Sequence, residues 1–77
     1  MNESLKRITA NPRQMGGRPC IRGIRITVAN VLRQLAAGYS RERILEAYPE
    51  LEAADIDACM QYAALLADDR ELTLEPA

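Results

Sequence analysis

Six arginines stand between positions 18 and 43 of this 77-residue chain: Arg18, Arg22, Arg25, Arg33, Arg41 and Arg43. The chemistry they suit is anion recognition, above all of phosphate, because a guanidinium stays charged and its donor fork engages two oxygens at once. They belong to a wider division of charge. Residues 1–43 hold nine of the ten Lys and Arg residues against Glu3 and Glu42, a net +7, while residues 44–77 hold Arg70 against nine acids, a net −8. The formal net charge of −1 hides this split, which suits an anion for the first half and a basic surface for the second. Nucleic-acid phosphate is the first candidate partner, with the six arginines as contacts. For the second, the end of the chain offers Asp68, Asp69 and Glu71, with Leu72 and Leu74 alternating with polar residues as an added β-strand would. The plainer reading is that the two halves neutralise each other within one fold or across a dimer.

Catalysis finds no foothold in these residue types. The chain has no His, and two distant cysteines, Cys20 and Cys59, cannot close a tetrahedral metal site without companions. Asp68-Asp69 has no further oxygen ligands with which to hold a hard cation. Gly16-Gly17 precedes a hairpin rather than a helix, and no Gly-rich loop runs into Lys-Ser or Lys-Thr, so no nucleotide loop is expected. No Ser or Cys has a plausible base. The chain therefore reads as a binding protein rather than an enzyme, without cofactor or metal. Three tyrosines, Tyr39, Tyr48 and Tyr62, are too few aromatics for a single-strand binder that works by base stacking.

Elements must position these groups, and their punctuation is readable. Residues 1–27 lack helical periodicity and carry Asn11-Pro12, Gly16-Gly17, Pro19 and Gly23 between short β-type pieces, Arg7–Thr9, Pro19–Ile21 and Ile24–Ile26. The last two flank Arg22-Gly23, a two-residue spacing that fits a tight hairpin, although Arg is an unusual first residue for a type I′ turn. In this ribbon Cys20, Ile24 and Ile26 supply an apolar face, and Arg18, Arg22 and Arg25 project outward or at the turn. Thr27 is a good N-cap for a helix with Val28, Val31, Leu32, Leu35 and Ala36 on one side, stopped by Gly38. Ser40 caps a second helix, 41–48, with Ile44, Leu45 and Tyr48 facing inward and Pro49 ending it. Arg41 and Arg43 sit at its start, where free backbone N–H groups also favour an anion. A third helix is predicted over 53–67, with Ile56, Cys59, Met60, Ala63 and Leu66 or Ala67 on one face and Leu51 stapling its start.

The fold expected is mainly α: a short N-terminal β-hairpin followed by a three-helix, homeodomain-like helix-turn-helix bundle. It makes one domain over 1–77, with a ribbon at 7–27, a trihelical core at 28–67 and an acidic tail at 68–77. A chain this short buries only about 60–65% of its unfolded surface, so a homodimer is the expected source of extra core. Met1 to Ala10 resembles no signal peptide, and no stretch is long enough for a membrane span. A reducing cytoplasm with unpaired, buried cysteines is the expectation. The third helix opens with Glu52, Asp55 and Asp57, which would repel phosphate, so it is not expected to read a DNA groove in the usual way. Acids there also suit the positive end of the helix dipole.

Taken together, Arg7-Ile8-Thr9, Asn11-Pro12, Gly16-Gly17-Arg18-Pro19-Cys20-Ile21-Arg22-Gly23, Arg25-Ile26-Thr27-Val28, Leu35-Ala36-Ala37-Gly38-Tyr39-Ser40 and Tyr48-Pro49-Glu50-Leu51 resemble the bacterial domain-of-unknown-function family 433. The resemblance covers about residues 7–65. It implies a β-hairpin followed by a homeodomain-like trihelical core, often dimeric, and an antitoxin of the VapB kind encoded beside a PIN-like nuclease toxin. Two residues depart from the family's pattern: Ile24 stands where Thr usually follows the Gly, and Glu52 where Thr or Ser commonly caps the third helix.

Two functions follow as expectations. In one, the chain is an antitoxin that binds its own operator, a double-stranded DNA, through the six arginines and blocks a PIN-like nuclease with Asp68, Asp69, Glu71, Leu72 and Leu74. Six phosphate contacts would give a salt-dependence slope of roughly −5. In the alternative, it is a protein-interaction or dimerisation module that does not touch DNA.

Overall fold

A computed structural model describes residues 3–69 and residue 74. After a 3-10 turn, Glu3–Arg7, the chain enters β1 (Ile8–Thr9), makes a second short 3-10 turn at Met15–Gly17, and continues as β2 (Cys20–Ile21), α1 (Val28–Ala36), α2 (Arg41–Ala47) and α3 (Ala53–Asp69). Three helices and a short antiparallel strand pair are as the sequence implies. The pairing differs. β1 pairs with β2, Ile8 opposite Ile21 and Thr9 opposite Cys20, whereas the sequence joins Pro19–Ile21 to Ile24–Ile26. The latter side contributes a bridge between Cys20 and Thr27, made by the Ile21 N–H on the Ile26 carbonyl at 3.1 Å and the Val28 N–H on the Pro19 carbonyl at 3.0 Å.

The reason lies in the turn. Ile24 N–H reaches the Ile21 carbonyl at 2.9 Å, and the central residues Arg22 and Gly23 both have positive φ, +45° and +74°. That is the type I′ pattern, for which Gly is suited and Arg is not. The turn's outward edge is then free to bond the first strand: Arg22 N–H donates to the Arg7 carbonyl at 2.7 Å, and Gly23 N–H to the Thr9 hydroxyl at 2.9 Å. Both residues of β2 are buried, Cys20 at 2% and Ile21 at 0% exposure, so this short strand is covered on both faces.

Helix ends follow the sequence closely. The Thr27 hydroxyl accepts from Asn30 N–H at 3.1 Å, and that of Ser40 from Arg43 N–H at 3.1 Å. Gly38, at φ +93°, closes α1 in a Schellman arrangement, its N–H on the Leu35 carbonyl and that of Tyr39 on the Gln34 carbonyl, both 3.0 Å. The Tyr48 hydroxyl accepts from Asn30 and Gln34, pinning the end of α2 to α1. The core gathers Ile21, Ile26, Val28, Val31, Ile44, Leu51, Ile56 and Cys59, with Ile8, Ile24, Leu32, Leu35, Leu45, Tyr48 and Tyr62 packed around it.

The face of α3 is rotated from the expected one. Met60 is 47% exposed and Ala67 is exposed, while Asp55, Ile56, Ala58 and Cys59 are buried and Tyr62 half-buried. An aspartate on the inner face turns the helix, and the partners that make this tolerable come from the ribbon.

Candidate functional site

Asp55 is fully buried, and an unpaired carboxylate there would be very costly. Its partners converge from three segments. Arg7 Nη1 donates to Oδ1 at 2.9 Å. Arg22 donates through Nε to both oxygens, at 3.1 and 3.3 Å, and through Nη2 to Oδ2 at 3.0 Å. Glu52 N–H donates to Oδ2 at 2.8 Å. That last bond is half of a capping box with Asp in the place of Glu, and it secures the helix start that Glu52 cannot cap with a hydroxyl. Arg22 Nη2 also donates to the Glu50 carbonyl at 2.7 Å, and Arg7 Nη1 to Glu52 Oε1 at 2.7 Å.

Burial alone would raise the Asp55 pKa. Hydrogen bonds from Arg22, the Glu52 N–H and Arg7 outweigh it and hold the carboxyl below its ordinary value. Arg7, through Glu52 first and then Asp55, and Arg22, through Asp55, are pushed further above theirs. The carboxylate is ionised and its acceptor sites are filled, and the two guanidiniums do not lose protons. This cluster holds the ribbon to α3. It has no proton to trade near neutral pH.

The clamp redistributes the six candidate arginines. Arg22 is held by Asp55. Arg41 pairs with Asp57 at 2.7 Å and donates to the Met60 sulfur at 3.3 Å. Arg43 lies over the Tyr39 ring, 4.0 Å from its centre, and remains exposed. Arg18, Arg25 and Arg33 are exposed and make no ion pair among the described residues. Arg18 and Arg33 border one apolar groove of about 430 Å³, walled by Val28, Ala29, Leu32, Tyr62 and Leu66. The acids that open α3 are likewise engaged, Glu52 by Arg7, Asp55 by Arg7 and Arg22, and Asp57 by Arg41.

Of the five candidate partner-binding residues, Asp68 and Asp69 end α3 and are exposed, and Leu74 is 79% exposed. Glu71 and Leu72 lie outside the described residues. Sequence reasoning missed Arg7 and Asp55 as partners. The available signal was Asp55 on the stripe that also carries Ile56 and Cys59, since an acid on a core face demands a cation. Among the described residues no group of three His, Cys, Asp or Glu could hold a metal ion, and no helix is long and apolar enough to cross a membrane.

The ribbon, the glycine-closed turn and the first two helices lie within a single family model, "Protein of unknown function (DUF433)", which matches residues 8–63. The chain belongs to the DUF433 family. An uncharacterised protein of Sinorhizobium fredii, y4eO, is 45% identical over 56 residues, which cover 73% of this chain and 25% of that protein. This DUF433 chain thus spans about a quarter of the curated relative it matches. No solved structure matches it.

Proposed function

We propose that this chain is the DNA-binding antitoxin of a type II toxin–antitoxin pair, acting in the cytoplasm by binding and not by catalysis. It holds operator duplex through Arg18, Arg25, Arg33 and Arg43, and its acidic end, from Asp68 and Asp69 onward, blocks the basic RNA cleft of a PIN-like nuclease. The observation that carries the reading is the sorting of charge. These four arginines are exposed without a carboxylate partner among the described residues, while Arg7, Arg22 and Arg41 are spent on the acids of α3. The order of α1, α2 and α3 is read as a homeodomain-like helix-turn-helix. In that arrangement α3 would be the groove reader, but its first turn is tied to the ribbon, so the arginine side leads.

Four contacts give a salt-dependence slope of about −3.6 in place of −5. Fluorescence anisotropy with the chain's own upstream DNA at two salt concentrations measures it, and co-expression with the product of the neighbouring gene tests the nuclease partner by pull-down. DNA binding unaltered by changing the four arginines to Ala refutes the DNA role. A second reading, an interaction module without DNA, draws on the engagement of Arg22 and Arg41, two of the six, by carboxylates. It predicts a captured partner and no retention on DNA.

A further inference from the structure

Tyr62, Leu65, Leu66 and Asp69 follow one another at i, i+3, i+4 and i+7, so they share one face of α3. Leu65 is 42% and Leu66 37% exposed, and Tyr62 is half-buried. The 3-10 turn Glu3–Arg7 and β1 pack against α3 and set Leu5 and Ile8, both half-buried, along this stripe. Together these six residues line an apolar groove of about 360 Å³ whose one charged member is Asp69. That charge is badly placed for the helix itself. Asp68 and Asp69 stand in the last turn of α3, at the negative end of its dipole, with no basic residue in that turn and no ion pair among the described residues.

We propose that this groove seats an amphipathic helix of the nuclease partner, its apolar face on Tyr62, Leu65 and Leu66 and a Lys or Arg against Asp68 and Asp69. The inference rests on the antitoxin reading for the partner's identity and adds how the two chains meet. Two features name the occupant. A stripe at i, i+3, i+4 and i+7 is the surface into which the side-chain ridges of a second helix pack. The acid at one end, with no base among the lining residues, calls for a cationic partner. A second copy does not match it, because a two-fold contact would have to supply that base from this same groove. A cation there also offsets the repulsion between the two acids and the helix end. Covering the leucines supplies affinity, and the acids supply orientation and rate. None of Arg18, Arg25, Arg33 and Arg43 lines the groove, so duplex and nuclease can be held at once.

Isothermal titration calorimetry of the full chain with the purified product of the neighbouring gene tests the proposal. The parent should bind with a negative heat-capacity change, the mark of apolar burial. Leu65→Glu with Leu66→Glu should weaken binding about 30-fold or more, the loss of at least one interface hot spot. Circular dichroism and melting should stay as in the parent, since both side chains lie at the surface. Leu65→Met with Leu66→Met keeps the apolar face and should bind like the parent, while the corresponding pair of alanines, which adds no charge, should also weaken it. Glu and Ala pairs that both bind as tightly as the parent overturn the groove and leave the antitoxin reading standing. A parent that binds no neighbouring-gene product overturns that reading and this proposal with it. Sedimentation velocity of the chain alone reads the competing occupant: a dimer that Leu65→Glu with Leu66→Glu dissociates gives the groove to a second copy and overturns the proposal.

Discussion

Replacing Asp55 with asparagine removes one charge from the centre of the clamp and keeps its shape. The amide oxygen can still accept from Glu52 N–H, but the two guanidiniums lose their counter-ion. Deleting one member of a buried ion pair typically costs about 3–5 kcal/mol. Arg7 and Arg22 keep side-chain exposures of 32% and 38% and can turn to water, so the expected loss lies lower, at about 2–3 kcal/mol. Against a total stability of roughly 4–12 kcal/mol for a chain of this length, the melting temperature should fall by about 10–20 °C. The pH dependence is the sharper readout. With its folded pKa held below the ordinary 3.8, Asp55 contributes its stabilisation fully above that value and loses it as pH falls through the lower folded one. The variant lacks this acid limb, so the two stability curves converge in acid and separate toward neutrality. Urea unfolding followed by circular dichroism, repeated from about pH 7 to about pH 3, measures both. A variant within about 0.5 kcal/mol of the parent at neutral pH, or a gap constant with pH, would refute the clamp as the tie between ribbon and helix.

Other expectations follow from the same geometry. Arg22→Gly relieves a positive φ yet removes the Asp55 and Glu50 contacts, and it should destabilise; a gain in melting temperature would show the turn to outweigh the clamp. Thr27→Ala and Ser40→Ala each remove a side-chain cap and should cost about 1 kcal/mol in urea unfolding. Burial, aided by the nearby Asp55 carboxylate, pushes the Cys59 thiol up to about 11. Cys20 is also buried and free, so a thiol reagent should label neither until denaturant is added; rapid labelling of the native chain would contradict the packing. Ile56→Ala, at a fully buried position of the core, should cost about 2–5 kcal/mol and leave little folded protein on heating.

Local signals made the helices legible and left the clamp hidden. Thr27, Ser40 and Gly38 set the starts of α1 and α2 and the end of α1, because caps and a glycine at positive φ act within a few residues. Arg22-Gly23 marks its turn for the same reason. What the turn pairs with is not local. Thr9 and Cys20 come opposite each other across an eleven-residue separation, and Arg22 meets Asp55 across 33 residues, distances at which no periodicity reports. The same separation explains the misjudged face of α3. With Asp55 assumed to be solvated, Met60 appears to belong inside, and only the guanidiniums of Arg7 and Arg22 make the inward aspartate and Tyr62 the correct choice. For the candidate site, composition locates the basic half but cannot distinguish an arginine that is free from one already holding a carboxylate.

That distinction underlies the functional account, and the salt dependence of duplex binding tests it most directly. Anisotropy titrations with the chain's own upstream DNA over a range of salt should give a slope of about −3.6. Changing Arg18, Arg25, Arg33 and Arg43 together to Ala should abolish binding while circular dichroism and melting stay as in the parent. A flat salt dependence, or a four-alanine variant that still binds like the parent, would contradict the account.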